Sequence, residues 1–338
     1  MTRPPVRIAC TLGDPNGIGP EVVFKALRDE TLCRSCTMEF ILLGPGSVLA
    51  AEFGRAALER GGVSLHGIRV VLTAVDTPAN TNEPAAADAS FTAEPGRLSA
   101  EAGQRAMWSV ERAVDLCLAG EADAIVTAPI SKEAVHLGGY AIPGHTEFLA
   151  ARTGAAHVTM MLVSDDLRVA VATGHIPLSS VATALSTDLV LTHLHTIDHG
   201  LRTGFAVASP RIAVLGLNPH AGDGGVLGTE EAVCIEPAIE RARAEGIDAR
   251  GPFPADGFFG SGSHGDVDCI LAMYHDQGLA PFKALSFGRG VNVTLGLPFV
   301  RTSPDHGTAF GIAGRGVARA DSTREAIRTA CHMTVTRL

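Results

Sequence analysis

The sequence predicts an α/β protein, and three observations lead to that class. Short apolar runs alternate along the chain with longer helical segments. Glycine is abundant, at 38 of 338 residues, whereas aromatic residues make up only 5%. Hydrophobic residues reach 46%, so a large core is available. Such alternation is typical of parallel or mixed sheets with helices on their faces.

The predicted elements follow one another in a regular order. The strands are residues 7–12, 39–43, 69–73, 124–127, 158–163, 167–173, 211–216, 269–274 and 291–295. The helices are residues 21–29, 47–60, 99–119, 146–153, 188–202, 229–245 and 323–337. Ser99, with Glu101 two residues later, has the pattern of a helix start. The length suggests two domains, although no linker marks a boundary.

Charge and composition exclude several classes of function. With 27 basic and 36 acidic residues the net charge is −9, which argues against nucleic acid or an anionic membrane as partner. The apolar runs are strand-sized and too short to span a membrane, so we expect a cytoplasmic protein. The seven cysteines are an odd number and are expected to be reduced thiols. Cys33-x-x-Cys36 is the one close pair, and an ordinary helix-to-strand connection is favoured over a metal or redox motif.

Three histidines stand in tightly turning segments, each directly after a predicted strand. They are His175, His220 and His275. Loops at the carboxyl ends of parallel strands are where α/β enzymes carry their chemistry, so we expect the three imidazoles to converge on an open divalent-metal site. Asp276 and Asp223 are candidate hydrogen-bond partners for the ligands. Taken singly, a histidine in a loop is more often an ordinary polar surface residue.

A second histidine group is a weaker metal candidate. His193, His195 and His199 lie on one predicted helix, but Thr196 stands where a zincin would have glutamate. An exposed helix face is favoured for these residues.

Two segments have the composition of an anion site. Between Asp276 and Asp305 there is no acidic residue, yet the stretch contains Lys283, Arg289 and Arg301. Arginine binds carboxylate or phosphate with two parallel hydrogen bonds. Residues 143–147, Pro-Gly-His-Thr-Glu, open a predicted helix and offer backbone N–H groups and an imidazole to a phosphate. The alternatives are an ordinary surface loop and a simple helix cap by Thr146.

Two glycine-rich loops are candidates for nucleotide contact. Residues 13–21, after the first strand, resemble a phosphate loop but match neither the dinucleotide-binding nor the P-loop pattern, so a plain strand-to-helix turn is favoured. Residues 305–316 contain two tight turns whose backbone groups could surround an adenine or ribose, although, on its own, a structural loop is favoured for this segment.

Taken in order, the motifs resemble those of the 4-hydroxythreonine-4-phosphate dehydrogenase family of vitamin B6 biosynthesis. The resemblance runs from about residue 7 to residue 320. It rests on Gly13-Asp14-Pro15-x-Gly17-Ile18-Gly19-Pro20-Glu21, Gly144-His145-Thr146-Glu147, Asn218-Pro219-His220-Ala221-Gly222, Tyr274-His275-Asp276-Gln277-Gly278, Gly290-Val291-Asn292-Val293-Thr294-Leu295-Gly296-Leu297-Pro298 and Arg301-Thr302-Ser303-x-Asp305-His306-Gly307-Thr308.

The resemblance implies the two-domain fold of isocitrate and isopropylmalate dehydrogenases. In that fold mixed sheets are flanked by helices and the active-site cleft lies between the domains. Residues 1–135 with 295–338 would form the terminal domain, on the side of the cofactor loop. Residues 136–294 would form the middle domain, on the side of the metal and the dimer contact. Family members are homodimers with the active site at the subunit interface.

The resemblance also implies a set of site residues. The metal ligands would be His175, His220 and His275. The substrate contacts would be His145, Thr146, Lys283, Asn292 and Arg301. The cofactor contacts would be Gly13, Asp14, His306, Gly307, Thr308 and Ala309. Lys283 is the candidate proton carrier, and His145 and Asp276 are further catalytic candidates.

The implied reaction needs NAD or NADP and one divalent metal ion, Zn, Mg or Co. It oxidises 4-phosphooxy-L-threonine, and the β-keto acid loses CO2 to give 3-amino-2-oxopropyl phosphate. Relatives that act on phosphothreonate, phosphoerythronate or a cis-dihydrodiol are alternatives, although the intact 144–147 segment and Lys283 favour a phosphorylated substrate. A metal-dependent hydrolase using the same histidines and a non-catalytic anion- or metal-binding protein are the alternatives from other classes.

Overall fold

The computed structural model describes residues 4–32, 37–78, 91–142, 144–286 and 288–337. The pair Cys33-x-x-Cys36 lies outside the described residues. The chain divides into two units. Met1–Gly154 and Leu297–Thr336 form the first, and Ala155–Gly296 forms the second. The sequence predicts divisions at 135/136 and 294/295, and the first division found here comes later because residues 145–153 pack with the first unit.

The first unit contains a mostly parallel sheet. Its strands are β1 (Val6–Thr11), β2 (Met38–Gly44), β3 (Gly62–Leu65), β4 (Ile68–Ala74), β5 (Ala124–Thr127) and β12 (Val300–Pro304). Their spatial order is β3-β4-β2-β1-β5-β12, and among the described pairings only β3 with β4 is antiparallel. Strand β1 is buried along nearly its whole length, as expected of a parallel strand covered on both faces.

The helices of the first unit connect these strands. They are α1 (Gly19–Leu27), α2 (Gly46–Phe53), α3 (Arg55–Glu59), α4 (Ala100–Leu118), α5 (Lys132–Leu137), α6 (His145–Thr153) and α12 (Asp321–Arg337). The Ser99 hydroxyl accepts the Ala102 N–H at the start of α4, so the predicted cap is confirmed. Arg152 on α6 pairs with Asp115 on α4 at 2.9 Å, which fixes α6 to this unit.

The second unit contains a mixed sheet. Its strands are β6 (Thr159–Ser164), β7 (Leu167–Thr173), β8 (Arg211–Leu215), β9 (Asp248–Phe253), β10 (Cys269–Tyr274) and β11 (Val291–Leu295). Their order is β11-β6-β7-β10-β8-β9. β7, β10, β8 and β9 run parallel to one another, so their carboxyl ends meet at one edge. β11 and β6 are antiparallel additions.

Helices cover this second sheet. They are α7 (Val181–Ala184), α8 (Thr187–Phe205), α9 (Glu236–Ala244), α10 (Ala255–Gly260) and α11 (His275–Ser286), and a π-helical turn, Glu231–Ile235, leads into α9. The apolar core joins strand residues Val169, Leu215 and Ile270 to Phe282 of α11. α11 therefore packs directly against the strands that precede the histidine segments.

The predicted α/β class is confirmed, and the nine predicted strands are present within a residue or two. Three strands, β3, β9 and β12, and four helices, α5, α7, α10 and α11, were not predicted. β9 contains Asp248, Arg250 and Pro252, a composition that only an edge strand tolerates. The predicted helix 47–60 is broken at Gly54, whose φ of 86° ends α2 before α3 begins.

Two further expectations can be compared with the fold. None of the helices in the described ranges is long and apolar enough to cross a membrane. Cys10, Cys117, Cys234 and Cys269 are free thiols. Cys331 is disulfide-bonded, so the expectation of reduced thiols is wrong for that residue.

Candidate functional site

His175 and His275 are neighbours at the carboxyl edge of the second sheet. They follow β7 and β10, which pair in parallel with Tyr274 opposite Thr173. The buried Thr173 hydroxyl donates to the Met273 carbonyl at 2.7 Å, which locks the two strand ends together. The centroids of the two imidazole rings lie 5.7 Å apart, with the rings tilted by 41°. Two candidate ligands are thus presented side by side.

A carboxylate orients the ring of His275. Nδ1 of His275 lies 2.6 Å from Oδ1 of Asp276, the next residue of α11. A carboxylate on one ring nitrogen fixes the tautomer and raises the basicity of the other nitrogen. Nε2 of His275 is therefore the atom available to a ligand, as expected from the predicted pairing with Asp276.

His220 stands on a left-handed turn after β8. His220, Ala221 and Asp223 have φ values of 52°, 51° and 45°, a conformation that side chains other than glycine rarely adopt. Gly222 and Gly224 continue the turn with φ of 81° and 63°. Such a run persists only where its surroundings hold it in place, and the His220 side chain is exposed at its start.

The third histidine does not join the other two within one chain. Across the described ranges, no three side chains of His, Cys, Asp or Glu lie close enough together to hold a metal ion. The rings of His175 and His275 are adjacent. His220 lies on the separate turn that follows β8, the strand next to β10. The predicted convergence is therefore seen for two of the three residues.

The histidines of α8 make structural contacts instead. Nδ1 of the buried His193 lies 2.8 Å from the Thr159 hydroxyl, and His195 pairs with Glu245 at 2.7 Å. Burial lowers the pKa of His193 to about 4. The interpretation of this group as an exposed face is wrong for His193, because its position on α8 faces the core.

A cationic group lies at the start of α6 in the first unit. Arg301, on β12, is only 1% exposed, and its Nη2 donates to the Thr127 hydroxyl at 2.8 Å. Burial lowers the pKa of Arg301 to about 10, and the negative charge of Glu147 opposes that shift. A charged guanidinium that is shielded from water is suited to bind an anion.

His145, the first residue of α6, lies within the influence of the Arg301 charge. Its Nε2 atom is buried and has no hydrogen-bond partner among the described residues. Burial, together with the positive charges of Arg301 and Lys132, holds the pKa of His145 well below its ordinary value. The imidazole is therefore neutral at physiological pH, with one buried nitrogen unsatisfied, and a bound ligand would satisfy it.

The predicted basic window is not one loop. Lys283 lies on α11 and Asn292 on β11 in the second unit, whereas Arg301 lies on a buried strand of the first. Arg289 forms an exposed pair with Asp165 at 3.4 Å. The Oδ1 atom of Asn292 is buried without a partner in the described part of the chain. The alternative interpretation of this stretch as an ordinary surface loop is wrong, because it contains a helix and two strands. Their pattern is hard to recognise in the sequence because β12 contains a charged residue and α11 contains glycine.

The two glycine-rich loops of the first unit pack against each other. Ile18 donates its N–H to the Thr308 carbonyl at 2.9 Å. A Cβ added at Gly17 would come within 3.0 Å of Thr308, so glycine permits this contact. Ala309 has a positive φ of 43°. The predicted cofactor residues 13–14 and 306–309 thus belong to adjoining loops.

Asp14 is the unusual residue of this loop pair. It is fully buried, and its Oδ1 accepts the Asn16 N–H at 2.9 Å. Its Oδ2 is buried and has no partner in the described ranges. Burial raises the pKa of Asp14 to about 6, against the effect of the Asn16 hydrogen bond. An unsatisfied carboxylate oxygen can accept a hydrogen bond from a hydroxyl group of a ligand.

Comparison with known proteins decides the family. The model of the family described as "Pyridoxal phosphate biosynthetic protein PdxA" matches residues 38–330. The chain belongs to this family. A member from Burkholderia vietnamiensis, named 4-hydroxythreonine-4-phosphate dehydrogenase, is 45% identical over 98% of both chains. A protein of the same name from Bacteroides thetaiotaomicron is 43% identical over 98% of this chain and 89% of its own.

Solved structures agree with this membership. A 4-hydroxythreonine-4-phosphate dehydrogenase from Klebsiella pneumoniae is similar with a TM-score of 0.81 and 36% identity, covering 98% of this chain and all of the other. A terephthalate 1,2-cis-dihydrodiol dehydrogenase from Burkholderia xenovorans is similar with a TM-score of 0.66 and 28% identity, covering 97% and 98%. The family resemblance read from the motifs is confirmed.

Sequence reasoning about this family member missed Lys132. It opens α5 just after β5, and its charge lowers the pKa of His145. A Cβ at Gly144 would lie 3.8 Å from the Lys132 Nζ and 3.2 Å from Glu147 Oε2, so the cation lies beside the start of α6. A signal was present in the sequence, since Lys132 lies in the short connection that follows the predicted strand 124–127.

Proposed function

We propose that the chain oxidises 4-phosphooxy-L-threonine with NAD or NADP and a divalent metal ion, and decarboxylates the product to 3-amino-2-oxopropyl phosphate. This step supplies pyridoxal or pyridoxine 5′-phosphate biosynthesis. The observation that carries the proposal is the buried cation Arg301 acting on His145, whose Nε2 atom is buried without a partner in the described ranges, at the start of α6. The names of the relatives at 43–45% identity agree with it.

The phosphate of the substrate is proposed to bind at α6. Arg301 supplies a buried charge, and Lys132 a second charge beside Gly144. Thr146 lies in the first turn of α6, where backbone N–H groups point towards an anion. The unsatisfied Nε2 of the neutral His145 would accept a hydrogen bond from the substrate or donate one to the phosphate, according to its tautomer.

The residues proposed to hold the metal ion are His175, His220 and His275. The adjacent rings of His175 and His275 fit imidazole ligation, with Asp276 on the far nitrogen of His275. Imidazole donors suit Zn or Co better than Mg. When bound, the ion would lower the pKa of the substrate hydroxyl and stabilise negative charge on its oxygen. Lys283, on α11, is the proposed proton carrier. Asn292, on β11, offers a buried Oδ1 to the substrate.

The nicotinamide cofactor is proposed to lie along the two glycine-rich loops. Gly13 and Asp14 contribute the first loop, and His306, Gly307, Thr308 and Ala309 the second. The buried and unsatisfied Oδ2 of Asp14 fits a hydrogen bond from a ribose hydroxyl. We propose the cytoplasm as the location of this reaction.

We also propose that the protein is a homodimer whose subunits share the metal site. Large apolar side chains stay exposed beside the histidine segments, among them Leu178 at 69% and Val226 at 78%. Exposed apolar surface of this kind is typical of an interaction face. The separation of His220 from the other two histidines supports ligation across the interface, with His220 supplied by the other subunit.

Mixing inactive subunits tests the shared site. Dimers of His220→Ala with His275→Ala should regain part of the activity, because one of the two sites then receives only native histidines. Each variant alone should stay inactive, and sedimentation should give a dimer. If mixed dimers form and gain no activity, the two histidines serve a site within one subunit and the sharing proposal fails.

A substrate panel tests the reaction itself. The panel contains 4-phosphooxy-L-threonine, its unphosphorylated form, phosphothreonate, phosphoerythronate and a cis-dihydrodiol, each with NAD and with NADP. The proposal predicts reduction of a nicotinamide with 4-phosphooxy-L-threonine and a large loss without the phosphate. Preference for another phosphorylated acid or for the diol would reassign the substrate. Hydrolysis without nicotinamide would identify a metal-dependent hydrolase.

A further inference from the structure

The buried carboxylate of Glu231 closes the loop that carries His220. Glu231 is 3% exposed. Its Oε1 accepts the N–H groups of Leu217 at 2.8 Å and Asn218 at 2.7 Å, and its Oε2 accepts the Asn218 side-chain amide at 2.9 Å. Three hydrogen bonds to one buried carboxylate fix the backbone just before His220.

The loop is shaped around this carboxylate. A Cβ added at Gly216 would come within 3.1 Å of Glu231 Oε1, and one at Gly222 within 2.7 Å of Oε2. Both glycines therefore leave the space that the carboxylate occupies. The left-handed backbone of His220 and Ala221 lies between these two glycines. The conformation that presents His220 thus depends on a group thirteen residues from Asn218 in the chain, held there by the π-helical turn Glu231–Ile235.

Gln277 ties the same loop to the strand that presents His275. Its Oε1 accepts the Met273 N–H at 2.7 Å, at the end of β10. Its Nε2 donates to the Gly216 carbonyl at 2.6 Å, at the base of the His220 loop. One amide side chain in the first turn of α11 thereby bridges the two segments, using both its donor and its acceptor.

We propose that Glu231 and Gln277 are positioning residues for the metal site, setting where His220 stands on the sheet edge that also carries His275. The inference rests on the proposed three-histidine metal site. Neither residue ligates the ion. Both hold backbone next to a ligand, so their loss should weaken metal binding through the geometry of His220.

The test compares variants by cobalt and zinc affinity, measured on the full-length protein by competition with a chromophoric chelator. Glu231→Gln keeps the size of the side chain but turns one acceptor oxygen into a donor that faces the Asn218 amide. Gln277→Leu removes both hydrogen bonds of the bridge. Glu240→Gln, an exposed change on α9, is the charge-matched control. His220→Ala reports the loss of the ligand itself.

The expected result is a loss of metal affinity of roughly 10- to 100-fold in Glu231→Gln and Gln277→Leu, with no change in Glu240→Gln. The visible spectrum of bound cobalt should shift in both positioning variants, and excess metal should restore their activity but not that of His220→Ala. The thermal midpoint of the metal-free proteins shows whether each variant is folded. If Glu231→Gln is unfolded, Gln277→Leu alone decides.

The outcomes separate this inference from the function on which it rests. Native metal affinity and cobalt spectrum in a folded Gln277→Leu or Glu231→Gln variant, beside a loss in His220→Ala, would overturn the inference and leave the metal site intact. A wild-type protein that binds neither metal would overturn the proposed function instead.

Discussion

The imidazole rings of His175 and His275 lie with their centroids 5.7 Å apart, on adjacent parallel strands joined by the Thr173 hydroxyl. Parallel neighbours deliver the residues that follow them to one edge, so this pairing is a direct consequence of strand order. The relationship makes these two histidines the fixed part of the proposed metal site. His220 is the part whose placement depends on a loop and, in our proposal, on a second subunit.

The contact between Asp276 and His275 gives a first prediction. Asp276→Asn should lower metal affinity by roughly 10- to 100-fold, because the carboxylate on Nδ1 fixes the tautomer and the orientation of the ring. Chelator competition measures the affinity. Asp256→Asn, an exposed change on α10, controls for charge and should bind as the wild type does. Equal affinity of Asp276→Asn and wild type would show that the carboxylate does not orient the ligand.

The burial of Arg301 gives a second prediction. Arg301→Lys keeps the positive charge but loses the planar fork that binds phosphate with two hydrogen bonds. We expect kcat/KM for 4-phosphooxy-L-threonine to fall by on the order of 100-fold, which is about 2.7 kcal/mol of transition-state stabilisation. Steady-state kinetics measure it, with the exposed Arg289→Lys as the matched control. A fall in kcat/KM of Arg301→Lys that is confined to the unphosphorylated substrate would contradict the proposal that Arg301 binds the phosphate.

The buried Asp14 gives a third prediction, on stability against pH. Its folded-state pKa of about 6 lies above the ordinary value of about 3.9, so the folded protein holds this proton more tightly than the unfolded chain. This contribution is present at low pH and is lost as pH rises through 6. Asp14→Asn lacks the titration. Relative to wild type, its free energy of unfolding should therefore gain on the order of 2 kcal/mol between about pH 4 and about pH 8.

Urea unfolding of the cofactor-free protein at both pH values checks this. A difference between variant and wild type that is independent of pH would mean that Asp14 is not held in its acid form by burial. The Asn16 N–H can still donate to an asparagine oxygen, so the turn itself should survive the substitution.

His193 gives a fourth prediction with the opposite sign. Its folded-state pKa of about 4 lies below the ordinary value of about 6.5, so the folded protein prefers the neutral ring. That stability is present above pH 6.5 and is lost as pH falls towards 4. His193→Gln should therefore lose less unfolding free energy on acidification than wild type, by on the order of 2 kcal/mol. The exposed His199→Gln is the matched control, and its loss of unfolding free energy on acidification should equal that of wild type.

The positions of the strand ends could be predicted from the sequence, and much of the candidate site follows from these positions. Buried parallel strands are continuous apolar runs, so β7 and β10 were predicted within their observed bounds or nearly so. Once both strands are predicted, the carboxyl ends of parallel neighbours lie at one edge, and His175 and His275 are therefore expected at that edge.

What could not be predicted depends on contacts between distant residues. Gly278 and Pro281 disguise α11 as a loop, yet a Cβ at Gly278 would lie 2.7 Å from Val169, so this glycine allows the helix to approach β7. Arg301 disguises β12, because charged residues are seldom fully buried. The turn at His220 depends on Glu231, and nothing in the local sequence indicates that contact.

One measurement tests the proposed function most directly. Chelator-treated protein is mixed with 4-phosphooxy-L-threonine and NAD, a divalent metal ion is added, and NADH and CO2 are followed together. We predict no signal before the metal is added, and equal amounts of both products afterwards. Consumption of the substrate without nicotinamide reduction, or no turnover with Zn, Co or Mg and either NAD or NADP, would contradict the proposed dehydrogenase.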